Sequence, residues 1–145
     1  MPKRGRRRNN WGKSVIGIVI VAHGGLANEY LAAVEHVVGK QPGVRAISTA
    51  ADCDRASKQS EISAAADAVD KGDGVVVVVD MFGGSPANLS LPACSKADRK
   101  ILYGANLPML VKLAKTRHLP IDMSTSKALA AGRKYIDCID GIQGV

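Results

Sequence analysis

The chain has 145 residues, enough for one domain with a buried core; 46% are hydrophobic but only 3% aromatic. That aliphatic balance suits a parallel sheet covered by helices and excludes an aromatic stacking platform for nucleic acid. The formal charge of +7 is concentrated at one end: Lys3, Arg4, Arg6, Arg7, Arg8 and Lys13 lie among the first 13 residues, which contain no acid, so the remainder stands near neutrality.

Residues 1–13 read as a disordered basic arm, with the folded domain running over 14–145. Basic residues before an apolar run resemble a secretory signal, but the run from Val15 to Ala22 is short and ends in a histidine. The arm leaves open a contact with acidic lipid or RNA, no contact at all, or a start codon upstream of the true one. No run approaches the ~20 apolar residues of a membrane span, so a soluble, cytoplasmic protein is expected. Cys53, Cys94 and Cys138 are widely spaced without a C-x-x-C pair, which suggests reduced thiols and neither a zinc site nor a redox dithiol.

Val15–Ala22 is β-branched and bounded by glycine, which predicts a buried strand ending at His23. Leu26 to Val38 has helical spacing and stops at Gly39 and Pro42. Val44 to Ala50 reads as a short strand, and Ser57 to Val69 as a helix with Ile62, Ala65, Ala66 and Val69 on one face. Five consecutive valines, Val75–Val79, form the third predicted strand. Ser85-Pro86 carries an N-cap signature for a two-turn helix that Pro92 ends or kinks. Lys100–Tyr103 is a fourth strand, a helix opens at Leu107-Pro108, and a last helix covers Ser124 to Lys134. The alternation of strand and helix predicts one doubly wound α/β domain with a mainly parallel open sheet and right-handed crossovers.

Two stretches carry chemistry. His23-Gly24-Gly25 ends the first strand, and Asp80-Met81-Phe82-Gly83-Gly84-Ser85-Pro86 follows the third. In an open parallel sheet, neighbouring strands bring their C-terminal ends to one crevice. His23 and Asp80 then meet there. A nucleophilic imidazole needs one nitrogen unprotonated, and a carboxylate that accepts the other N–H fixes that tautomer. A transferred phosphoryl group needs donors for its oxygens, supplied by backbone amides at helix starts. Gly24, Gly83, Gly84 and the Ser85 hydroxyl are the candidates, since glycine lets the backbone come close to a phosphate. His36 reads as a helix-surface residue, His118 as a loop residue, and Asp52 and Asp54 as loop acids. A metal site built on His23, Asp80 and one of those acids lacks motif spacing.

Three stretches resemble one known family: Ile18–Gly24, Val78–Asn88 and Gly104–Leu110. They are similar to the enzyme IIA component of the mannose-type (mannose/fructose/sorbose) phosphoenolpyruvate-dependent sugar phosphotransferase system, over roughly residues 15–137. The ending Gly132-Arg133-Lys134-Tyr135-Ile136 resembles the short alphaproteobacterial form. The resemblance implies a kinase-like phosphotransferase. In it, His23 accepts a phosphoryl group from phospho-HPr and passes it to a IIB partner or uses it as a regulatory signal. It makes Asp80 the residue that orients His23, and Gly83–Ser85 the phosphate-binding turn. It further implies a homodimer that exchanges a C-terminal antiparallel edge strand over Tyr135 to Ile139. The chain is expected to carry no IIB domain of its own, and to meet a membrane only through a transporter complex. No cofactor, metal or nucleic-acid partner is expected.

Two other functions fit parts of the sequence. A regulatory binding module without sugar transport needs the same site. A metal- or nucleotide-binding hydrolase on a flavodoxin-like fold needs more strand-end carboxylates or a G-x-x-x-x-G-K-[ST] loop, and that loop is absent.

Overall fold

A computed structural model describes residues 15–81 and 83–141. The arm expected over residues 1–13 lies outside the described residues. Among these, four strands form one parallel sheet in the order β2-β1-β3-β4: β1 (Gly17–His23), β2 (Val44–Thr49), β3 (Val75–Val79) and β4 (Arg99–Tyr103). The helices are α1 (Leu26–Val38), α2 (Arg55–Val69), α3 (Ser85–Ser90), α4 (Leu107–Lys115) and α5 (Ile121–Lys134), with a 3-10 turn at Leu91–Cys94 after α3.

The valine run of β3 is unbroken because both faces of the sheet are covered. Val76 and Val78 pack with Ile18, Ile20 and residues of α1, α4 and α5. Val75, Val77 and Val79 turn the other way, toward Val19, Val21 and residues of α2 and α3. Period-two alternation therefore sends one strand into two separate cores. Gly17 lets α2 lie close against β1, since a Cβ there would collide with the Val69 carbonyl. The start of β1 is pinned by Arg117, whose Nε donates to the Ile16 carbonyl at 2.8 Å, and by Asp73, whose Oδ2 accepts from the Val15 N–H at 3.1 Å.

The strand order sets the crevice. From β1 the chain passes to β2 on one side, while β3 pairs on the other. After β1 and β3 the chain enters α1 and α3, which sit on opposite faces. The gap between the C-terminal ends of β1 and β3 is thus the topological switch point, where open α/β sheets hold ligands.

Three expectations shift. α5 begins at Ile121, not Ser124, because Ser124 and Thr125 face inward with their hydroxyls satisfied: Ser124 shares a 2.7 Å hydrogen bond with Thr116, and Thr125 donates to the Ile121 carbonyl at 2.8 Å. Two polar residues on the buried face hide the helical period. Ser85 is the first residue of α3, with Gly84 at the cap position and no side-chain cap bond. No strand forms over Tyr135–Ile139 in the single chain; a strand needs a second edge to satisfy its backbone groups, and Ile136 and Ile139 stay exposed.

Candidate functional site

β1 delivers His23 to the crevice with its side chain 46% exposed, and β3 delivers Asp80, only 10% exposed. Asp80 Oδ2 lies 2.8 Å from the His23 ring Nδ1 and also accepts the His23 main-chain N–H at 3.0 Å. Its Oδ1 accepts the Met81 N–H at 3.0 Å. One carboxylate oxygen therefore grips a single histidine twice, by ring and by backbone. An ionised carboxylate is an acceptor only, so this contact favours the tautomer with the proton on Nδ1 and leaves the lone pair on Nε2.

Burial raises the Asp80 pKa and is the largest single influence. The main-chain and ring contacts from His23, with the Met81 amide, outweigh it and hold the carboxyl below the ordinary 3.8. Asp80 is thus an anion at neutral pH, matched to positive charge developing on the imidazole.

The glycine-rich loop lies against the other edge of the ring. A Cβ on Gly84 would stand 3.1 Å from His23 Cε1 and 3.5 Å from Nε2. A larger residue would press on the imidazole, so glycine keeps the Nε2 edge open. Gly83 has φ +82°, a left-handed turn that glycine adopts without strain. Ser85 is exposed at the start of α3.

Gly24 departs from expectation. Its N–H donates to the Thr49 carbonyl at 3.0 Å, so that amide is engaged within the fold. What Gly24 contributes is the turn from β1 into α1, at φ +54°. Thr49 itself has no motif signal. It is buried at the end of β2, in register with His23, and its hydroxyl donates to the Ala22 carbonyl at 3.1 Å.

The remaining candidates stay apart from the crevice. His36 is exposed on α1, and His118 is exposed in the loop before α5. Asp52 and Asp54 are exposed, and no group of three His, Cys, Asp or Glu residues able to hold a metal occurs among the described residues. Burial pushes the Cys94 thiol up to about 11, which keeps it protonated and a poor nucleophile at neutral pH. No helix among the described residues is long and apolar enough to cross a membrane.

Known proteins resemble this chain in sequence and in fold. The PTS system mannose-specific EIIAB component of Escherichia coli (strain K12) is 29% identical over 127 residues, covering 86% of this chain and 39% of that protein. The chain thus spans about two-fifths of the length of the curated relatives it matches. The crystal structure of phosphotransferase system component EIIA from Streptococcus agalactiae superposes with a TM-score of 0.72 at 26% identity, over 86% of this chain and 97% of that one. The mannose/sorbose specific IIA subunit from Enterococcus faecalis shares the fold with a TM-score of 0.78 at 22% identity, over 89% and 98% of the two chains. The family profile described as PTS system fructose IIA component matches residues 17–131. The chain belongs to this EIIA-man family, the mannose-type IIA components of the sugar phosphotransferase system.

Proposed function

We propose that the protein is a phosphohistidine carrier in which His23 takes a phosphoryl group from phospho-HPr and passes it to a IIB partner, or holds it as a regulatory signal. The observation that carries this reading is the His23–Asp80 pair, with Nδ1 held at 2.8 Å and the Nε2 edge beside a glycine loop. Nε2 attacks phosphorus in line with the phosphorus–nitrogen bond of the donor. That bond breaks, and its electron pair returns to the donor imidazole. The Nδ1 proton stays between His23 and Asp80, whose charge stabilises the ring as its own lone pair is drawn into the new bond. In this reading the amides of Gly83 and Gly84 and the hydroxyl of Ser85 receive the phosphoryl oxygens. Onward transfer to a IIB acceptor is a second displacement: the acceptor attacks phosphorus, the bond to Nε2 breaks, and its electron pair returns to the His23 ring.

Family membership and the absence of a membrane-length helix among the described residues favour a cytoplasmic site of action. A homodimer is supported by the exposed apolar segment holding Tyr135, Ile136 and Ile139, and by the groove of about 450 Å³ along the edge strand β4 that Ile136 lines together with Tyr103, Asn106, Met109 and Leu129. Sedimentation at micromolar concentration should give a dimer, and a monomer would contradict this part of the reading. The function itself is tested with enzyme I, HPr and labelled phosphoenolpyruvate. Label that is acid-labile and base-stable on His23 supports it; a chain that takes no label overturns it.

A further inference from the structure

We infer that Thr49 is a positioning residue for His23, fixing through its hydroxyl and carbonyl the two peptides that flank the histidine. The inference deepens the carrier function proposed above and rests on it. On its β3 side, β1 is held by the ladder only as far as the pair Val21 and Val79. Beyond that point the Asp80 side chain replaces the missing strand, accepting the His23 N–H. On its β2 side the pairing continues to the end, with His23 opposite Thr49.

Thr49 makes two contacts there. Its Oγ1 donates to the Ala22 carbonyl at 3.1 Å, and its carbonyl accepts the Gly24 N–H at 3.0 Å. The peptide between Ala22 and His23 therefore has its carbonyl on Thr49 and its N–H on Asp80 Oδ2. The same Oδ2 meets the ring Nδ1. A tilt of this peptide moves the ring relative to the oxygen that orients it. Hydrogen bonds weaken steeply off-line, and misplacing a reacting group by ~1 Å can cost as much as ~10² in rate. The hydroxyl is buried, with Thr49 only 3% exposed, so water does not substitute for it.

A packing role alone makes a different prediction. Thr49→Val keeps the β-branched shape and removes the hydroxyl; Thr49→Ser keeps the hydroxyl and removes the methyl. If the hydroxyl positions His23, the valine variant lowers the turnover number for transfer from phospho-HPr by about tenfold. Its KM for the donor stays within about twofold, because the effect is on ring orientation and not on docking. In the unphosphorylated protein, the NMR resonance of the His23 Nδ1 proton moves away from its hydrogen-bonded position. Thr49→Ser restores both. Should the valine variant not fold, Thr49→Ala removes the same hydroxyl and takes its place in the comparison. A hydroxyl-free variant with wild-type turnover and an unmoved resonance overturns the inference, as does a serine variant no better than valine. A wild-type chain that takes no phosphate would instead overturn the carrier reading, while the resonance comparison still decides what Thr49 does.

Discussion

Two carboxylate sites in this molecule are held below the ordinary range by cationic or donor partners, and they differ in what those partners leave free. At the end of β3, Asp80 meets an imidazole and two main-chain amides. On α2, Asp67 is lowered chiefly by its hydrogen bond to Arg99, whose Nη2 lies 2.7 Å away and also reaches Asp70 at 3.2 Å. Arg99 is almost wholly buried and donates a further bond to the Ala93 carbonyl at 2.9 Å, so its guanidinium is tied into the fold. His23 is tied by one ring edge and keeps the other exposed beside glycine. A perturbed acid therefore does not by itself mark chemistry. What separates the two sites is a partner with an unused reactive atom.

Substitutions should separate the two sites. The largest effect expected is from His23→Ala, which abolishes phosphorylation and leaves the fold intact, since the side chain is half exposed; circular dichroism and the labelling assay check both. Acid-labile label persisting at His36 or His118 would contradict the assignment. Next is Asp80→Asn. An amide can hold the ring in the wrong tautomer and carries no charge, so transfer from phospho-HPr should slow by ~10²–10³, less than the ~10⁴ of a triad aspartate because a loose transition state leans on positioning around the phosphoryl oxygens. A rate within about threefold of wild type would mean that Asp80 only holds its own loop.

The same variant gives a pH test. Because the folded pKa of Asp80 lies below 3.8, its ionised form stabilises the fold above the unfolded value, and that contribution is lost as pH falls through the folded one. The stability gap between wild type and Asp80→Asn should be full at neutral pH and close in acid. Denaturant melts from neutral pH down to about pH 2 measure it directly.

Smaller effects sharpen the contrast from the other side. Arg99→Met should leave the phosphorylation rate within about twofold while lowering stability by roughly 1–3 kcal/mol, as buried donors and their partners are lost. A large loss of transfer rate in a folded variant would join Arg99 to the site. Deleting residues 2–12 should change neither rate nor stability by more than ~1 kcal/mol, because the arm has no apolar periodicity.

Much of the crevice is legible in the chain itself, and the reasons are local. The valine run identifies a strand covered on both faces, and the glycines after His23 and Asp80 mark where strands turn into helices. Parallel order then implies that the two residues meet. What stays hidden depends on geometry that no short window encodes. Thr49 matters only once the register of β2 against β1 is known, because that register puts its hydroxyl on the Ala22 carbonyl. Gly24 looks like a phosphate donor until its N–H is found on Thr49. Ser124 and Thr125 face inward and hide the start of α5, since their hydroxyls are satisfied by a neighbouring loop residue and by the preceding turn. The segment Tyr135–Ile139 forms no strand in the single chain.

In the proposed carrier, Asp80 holds Nδ1 of His23 and leaves Nε2 to receive the phosphoryl group. The most direct measurement is the position of the phosphorus on the ring, read from nitrogen–phosphorus couplings in NMR spectra of the labelled, phosphorylated protein. The geometry predicts phosphorus on Nε2 and a retained proton on Nδ1. Phosphorus on Nδ1, or on any other histidine, would contradict it.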